Sequence, residues 1–279
     1  MGLFSKLFGK KTNIDSNSNI SNNTNFTTNT SAKTTIKTNS SSNNTNSSLT
    51  LKKEESLKQL TLRKENINKI CLQKKELNNL TARVAVVMDY SGSMVNLYKN
   101  GTVQAVLERL LPLALKFDDN GELELWIFED RFTRLDDINI NNYYNYIQNE
   151  NILRKYRMGG TNYAPVMKDV LKKYTVEDKS DIPTLVLFLT DGDNFDKREA
   201  TRVIKDASKH PIFWQFVGLG NSSYSFLESL DEMDGRFIDN ANFFAINNIN
   251  KISDNELYRK ILNEYPLWIN EAKQKGILK

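Results

Sequence analysis

The sequence predicts one α/β domain, a mostly parallel central sheet flanked by helices on both faces. Three observations carry that expectation. Short apolar, β-branched runs alternate along the chain with segments of helical periodicity. Some of those runs are apolar at every position rather than every second one, as expected of strands buried on both faces. Polar, glycine-containing segments follow directly after the runs, and in such sheets functional groups gather at the carboxyl ends of the strands.

The alternation begins at residue 81. Residues 83–88 (RVAVVM) form a buried strand. Residues 102–117 place Val103, Val106, Leu107, Leu110, Leu111, Ala114 and Leu115 at helical spacing. Residues 122–128 (ELELWIF) alternate and are assigned to a strand. A helix is expected over 162–174, with Pro165 in its first turn, where a missing N–H costs little. Residues 184–189 (TLVLFL) are again continuously apolar. Further expected elements are a helix over 196–209, a strand over 212–217 (IFWQFV) and helices over 223–230, 256–262 and 267–275. Trp126 and Trp214 fall inside strands and are expected in the core. His210, before Pro211 at a strand entry, is expected to be structural, and Cys71 to be a buried small apolar group.

The first 80 residues differ from the rest. Residues 12–50 contain 30 Ser, Thr or Asn in 39 positions, with no Pro and no Gly. They cannot bury enough apolar surface to offset their ordering entropy and are expected to be a disordered linker. Residues 1–11 (MGLFSKLFGKK) space Leu3, Phe4, Leu7 and Phe8 helically among lysines. That pattern fits a weak peripheral membrane contact or equally a frayed basic terminus. In residues 51–80, Leu60, Ile67, Ile70, Leu77 and Leu80 recur at spacings that suggest a helical lead-in docked on the domain. Lys74 stands where a coiled coil would need a further contact.

Charge and composition exclude several classes. The net charge of +4 divides into 13 Lys/Arg against 5 Asp/Glu in residues 1–80, and 25 against 29 in residues 81–279. A globular part that is net acidic does not offer a nucleic-acid-binding surface. One cysteine rules out an internal disulfide framework, and one histidine leaves little room for a His-rich metal site. No apolar run approaches the roughly 18 residues of a spanning helix, and no signal-peptide apolar region is present, so the chain is expected in the cytoplasm.

Three segments carry the chemistry. Asp89-Tyr90-Ser91-Gly92-Ser93 follows the first strand, Gly159-Gly160-Thr161-Asn162 enters a helix, and Thr190-Asp191-Gly192-Asp193 follows the TLVLFL strand. In a tight loop Asp89, Ser91 and Ser93 can turn alternate side chains toward one point. Two carboxylates and three hydroxyls form a hard oxygen set that suits Mg²⁺ or Mn²⁺ and disfavours zinc. A D-x-S-x-S segment alone also suits an ordinary turn with a helix N-cap; the other two segments favour a metal site.

These residues resemble the metal-ion-dependent adhesion site of von Willebrand factor A domains: D-x-S-G-S, a later Thr and a later T-D-G. The strings GTVQAVLERLLPLALKFDDNGELELWIFED, GGTNY, FWQFVGLG, GRFIDNANFF and ELYRKILNEYPLWINEAKQKGIL are similar to the bacterial TerF-like branch, linked to tellurium and toxic-cation resistance. The resemblance covers about residues 56 to 279. It implies a Rossmann-like fold for residues 81–279, including a C-terminal helical extension. It implies cation binding through the hydroxyls of Ser91, Ser93 and Thr161, with Asp89 and Asp191 acting mostly through ordered waters. It also implies a protein partner that contributes an Asp or Glu, in a cytoplasmic stress response.

Two other functions compete with this non-enzymatic interaction module. A phosphatase-like hydrolase would use Asp89 as nucleophile, but Ser91 stands where its second carboxylate is wanted. A nucleotide enzyme lacks both GxxxxGK[ST] and G-x-G-x-x-G. A tethered scaffold with a purely structural metal is the third. Asp193 and Asp196 are expected to solvate a loop and cap the following helix. Tyr90, Tyr98, Tyr163 and Phe195 form either an aromatic collar for a partner or ordinary packing.

Overall fold

In the computed structural model, residues 41–279 are described, with side chains from residue 50 onward. The expectations for residues 1–11 and 12–40 lie outside the described residues. Six strands form one sheet: β1 (Arg83–Asp89), β2 (Leu123–Phe128), β3 (Phe132–Ile138), β4 (Thr184–Thr190), β5 (Ile212–Leu219) and β6 (Ala241–Ile246). Their spatial order is β3-β2-β1-β4-β5-β6. All neighbours are parallel except β2 and β3, which form an antiparallel hairpin. The strand order reverses between β1 and β4, a topological switch point whose carboxyl side forms a natural crevice.

The helices are α1 (Ser41–Gln73), α2 (Val95–Lys99), α3 (Thr102–Phe117), α4 (Tyr146–Asn149), α5 (Ile152–Lys155), α6 (Ala164–Lys172), α7 (Lys197–Ala207), α8 (Ser225–Asp231), α9 (Asp254–Ile261) and α10 (Tyr265–Gln274). They cover both faces of the sheet, and the strand side chains sort by parity. Val84, Val86 and Met88 of β1, with Leu185, Leu187 and Leu189 of β4, join a core shared with α1, α3, α9 and α10. Ala85 and Val87 of β1, with Val186 and Phe188 of β4, join a core shared with α6, α7 and α8. Burial on both faces is why these strands are apolar at consecutive positions.

Two strands escape the sequence pattern. In β3 (FTRLDDI) only Ile138 is buried, because this edge strand shows one face to solvent and carries charges there. In β6 (ANFFAI), at the other edge, burial is confined to the two ends.

Helix α1 begins at Ser41, so residues 41–50, assigned above to the disordered linker, are helical. Ser, Thr and Asn are weak helix formers. Here they extend a helix that the following Leu-, Lys- and Glu-rich segment nucleates, and propagation costs far less than nucleation. Leu60, Ile67, Ile70 and Cys71 of α1 are buried in the first core, as is Leu77 just beyond it. Burial pushes the Cys71 thiol up to about 11, so it packs as an inert apolar group. Polar ties reinforce this layer. The buried Arg109 of α3 donates to Asp254 at 2.6 Å and to the carbonyls of Ile249 (2.6 Å) and Ile252 (2.9 Å). Arg63 of α1 donates to the other oxygen of Asp254 at 3.1 Å.

Ile67 is fully buried. Ile67→Ala should therefore cost about 2–5 kcal/mol of unfolding free energy, while Leu62→Ala, on the exposed side of the same helix, should cost less than about 0.5 kcal/mol. Denaturant unfolding of both variants measures the difference, and equal small losses would mean that α1 does not belong to the core.

Candidate metal centre

The register of the sheet builds the site. Met88 of β1 pairs with Leu189 of β4, so Asp89 and Thr190 end their strands side by side at the switch point. The Thr190 hydroxyl donates to Asp89 Oδ2 at 2.6 Å. The Ser91 N–H donates to Asp89 Oδ1 at 2.7 Å. Both carboxylate oxygens are thus engaged, and the side chain is wholly buried. Burial is the main influence on its pKa and pushes it up to about 6, against the lowering effect of the Ser91 and Thr190 hydrogen bonds; the Asp191 charge raises it slightly further. Among the described residues, no cationic side chain forms an ion pair or hydrogen bond with this carboxylate.

From Asp89 the site climbs to the surface through hydroxyls. Ser91 Oγ lies 3.0 Å from Ser93 Oγ, and the exposed Ser93 hydroxyl donates to Asp191 Oδ1 at 2.7 Å. Asp191 is half-buried, and desolvation raises its pKa against the lowering effect of that hydrogen bond. Asp89, Ser91, Ser93 and Asp191 are therefore one connected group.

Thr161 reaches the same place through the backbone. Ser91 and Gly159 form an isolated parallel bridge, with the Gly92 N–H donating to Gly159 O at 3.1 Å. The Phe195 N–H donates to Thr161 O at 3.0 Å, tying this loop to the one after β4. The Thr161 side chain is buried and its hydroxyl has no hydrogen-bond partner among the described residues.

The two glycines before Thr161 have a steric reason. A Cβ on Gly159 would stand 2.6 Å from Glu129 Oε2, and one on Gly160 would overlap the Asp130 carboxylate. Asp130 accepts the Gly160 N–H at 3.0 Å, and Glu129 O accepts the Asn162 N–H at 2.9 Å. Glu129 and Asp130, at the end of β2, were not among the expected site residues. The tandem glycines were the only trace of their close approach.

The neighbours are scaffolding. Tyr90, Tyr98 and Tyr163 are buried, so only Phe195, 81% exposed, is available as an aromatic contact on the rim. Tyr98 donates to Asp89 O at 3.0 Å, and Tyr163 donates to Gly192 O at 2.5 Å. Asp193 pairs with Lys197 at 2.5 Å. Asp196 caps not its own helix but the preceding one: its oxygens accept the N–H groups of Tyr163 (2.9 Å) and Ala164 (2.7 Å) at the start of α6.

These residues match a model of one family, the von Willebrand factor A domain found in the TerF C-terminus, over residues 81–278. The chain belongs to this TerF-like von Willebrand factor A family. The uncharacterized protein YcbR of Bacillus subtilis (strain 168) is 46% identical over 222 residues, covering 79% of this chain and 90% of YcbR. Neither match indicates an enzyme family. Solved von Willebrand A-type relatives are more distant. Proximal thread matrix protein 1 from the mussel byssus, solved with a zinc-occupied adhesion-site motif, is 17% identical over 66% of this chain and 46% of its own, with a TM-score of 0.46. The manganese-loaded TRAP protein of Plasmodium vivax is 17% identical over 60% of this chain and 69% of its own, with a TM-score of 0.45. This chain spans less than half of the mussel chain. Among the described residues of this von Willebrand A protein, no helix is long and apolar enough to cross a membrane.

The donor set of the domain fits a hard divalent cation. It offers two carboxylates and three hydroxyls, and among the described residues the inner carboxylate has no cationic partner and the Thr161 hydroxyl no hydrogen-bond partner. The cap on α6 can be tested apart from any cation. Asp196→Ala leaves two N–H groups unsatisfied at the helix start and should cost about 1–2 kcal/mol of stability in urea unfolding. A loss below about 0.3 kcal/mol would show that water replaces the cap.

Proposed function

We propose that Asp89, Ser91, Ser93, Thr161 and Asp191 hold one divalent cation, Mg²⁺ or Mn²⁺, and that the domain uses it to bind a protein partner through an Asp or Glu side chain. The observation that carries this reading is the buried Asp89 carboxylate, which has no cationic partner among the described residues, in the same loop cluster as a Thr161 hydroxyl that has no hydrogen-bond partner among them. When bound, the cation supplies a positive centre with a coordination position open to an incoming carboxylate. The residues do the rest. Asp89 provides fixed negative charge below the surface, held by Ser91 N–H and Thr190. The three hydroxyls offer neutral oxygen donors, leaving positive charge uncancelled. Phe195 supplies exposed apolar surface beside the opening.

The hydrolase alternative is disfavoured by the same geometry. A nucleophilic carboxylate needs an accessible oxygen, and both oxygens of Asp89 are buried and engaged. The TerF-like family link supports a cytoplasmic role in a stress response such as tellurium or toxic-cation resistance.

Cation binding to the native state should raise stability by about 2.7 kcal/mol at a hundredfold excess over Kd. Asp89→Asn should abolish this increment without lowering cation-free stability, since it removes an uncompensated buried charge. Thermal unfolding with and without Mg²⁺ or Mn²⁺ reads both effects; an undiminished increment in the variant would place the cation elsewhere.

Partner capture from a cell extract should be lost in chelator, competed by an acidic peptide, and weakened by Thr161→Ala with no change in unfolding temperature without the cation. Capture that survives both chelation and Thr161→Ala would leave the scaffold reading in its place.

A further inference from the structure

At the end of the sheet opposite the metal centre, a cleft of about 580 Å³ opens beside the first residues of β4 and β5. Three separate stretches of chain bring lysines to it: Lys179 from the segment after α6, Lys209 from the turn before β5, and Lys275 from the end of α10. Ser180 and His210 line it as well. The one acidic side chain in the lining, Asp181, is paired with Lys279.

The three lysines differ from their neighbours. Lys168, Lys172, Lys173 and Lys197, on α6, the turn after it and the start of α7, are each paired with a carboxylate. Lys179, Lys209 and Lys275 have no ion pair or side-chain hydrogen bond among the described residues, and Lys275 only approaches the Phe237 ring, at 5.9 Å from its centroid. Unpaired cations from distant parts of the sequence meet in one cleft of a domain that is otherwise net acidic over residues 81–279. Like charges gathered without counterions repel one another, and a concave, low-dielectric wall concentrates their field.

We propose that this cleft is a binding site for a small phosphate-bearing anion. The chemistry matches: a phosphate group carries close to two negative charges and several acceptor oxygens, enough for more than one ammonium at once. Ser180 adds a neutral donor, since its Oγ accepts the Ile182 N–H at 3.2 Å and keeps its own proton for a ligand. The volume exceeds that of inorganic phosphate alone and suits a phosphorylated small molecule. The site is independent of the metal centre and of the function proposed for it.

His210 is a built-in reporter, because it is the only histidine in the chain. Its pKa lies below the usual value, first through burial and then through the charges of Lys179 and Lys209, with Asp206 opposing them. An anion seated among the lysines must raise it.

The test is an NMR titration of His210 in the full chain. Sulfate serves as a dianion of constant charge between pH 5 and 8, sodium chloride of equal ionic strength as the control, and pyrophosphate at fixed pH as the phosphate probe. Sulfate should raise the His210 pKa by about 0.5 unit or more beyond chloride. Pyrophosphate should shift the resonance saturably, and both responses should vanish in Lys179→Gln/Lys209→Gln, whose exposed positions leave the fold intact. Sedimentation with phosphatidate vesicles, lost in the same variant, would assign the phosphate to a lipid headgroup if pyrophosphate alone has no effect. Responses no larger than chloride's together with no vesicle binding, or responses unchanged in the double variant, would overturn the proposal.

Discussion

The hydrogen bond from Thr190 to Asp89 joins the ends of the two central strands, and the rest of the site is arranged around it. A carboxylate at the end of a strand buried on both faces is costly unless its oxygens are occupied. Thr190 and the Ser91 N–H occupy them, which fixes the direction in which the chain leaves β1. That exit sets the Ser91–Gly159 bridge, which brings in Thr161, and the Ser93–Asp191 contact, which closes the ring across to β4. The polar site thus inherits its geometry from the parallel register, and the register from cores packed on both faces.

That dependence explains what was legible in the sequence. Strands β1, β4 and β5 announced themselves because two-sided burial writes a continuous apolar run. Helices α6 and α7 kept helical spacing because each buries one face, and α3 kept it in its first two turns before every residue from Arg109 to Ala114 becomes buried. Of the five expected oxygen-bearing residues, Asp89, Ser91, Ser93 and Asp191 meet in one hydrogen-bonded group because each sits at or just beyond the end of such a strand, while Thr161 is tied in only through its backbone. Strand β3 was not, because an edge strand with alternating Arg134, Asp136 and solvent-facing positions resembles a charged loop. The first helical residues of α1 were masked by their Ser and Asn content.

The acidic residues tell the same story at finer scale. Asp193 and Asp196 follow Asp191 closely, and spacing cannot separate a cation ligand from a helix cap or an exposed ion pair. Only the fold shows that Asp196 turns back to α6 while Asp193 faces Lys197. Glu129 and Asp130 were invisible for the opposite reason, since the residues they approach lie thirty positions away at Gly159 and Gly160.

Asp196 has a mechanical meaning as well. Its backbone belongs to the loop after β4, its carboxylate grips the first turn of α6, and its neighbour Phe195 is bonded to Thr161. The two loops that flank the opening are thereby latched to each other and to the start of α6, which packs in the core on one face of the sheet. One carboxylate thus ties together three stretches of chain that are far apart in sequence, so Asp196 acts as a clasp on the rim of the opening rather than as a ligand within it.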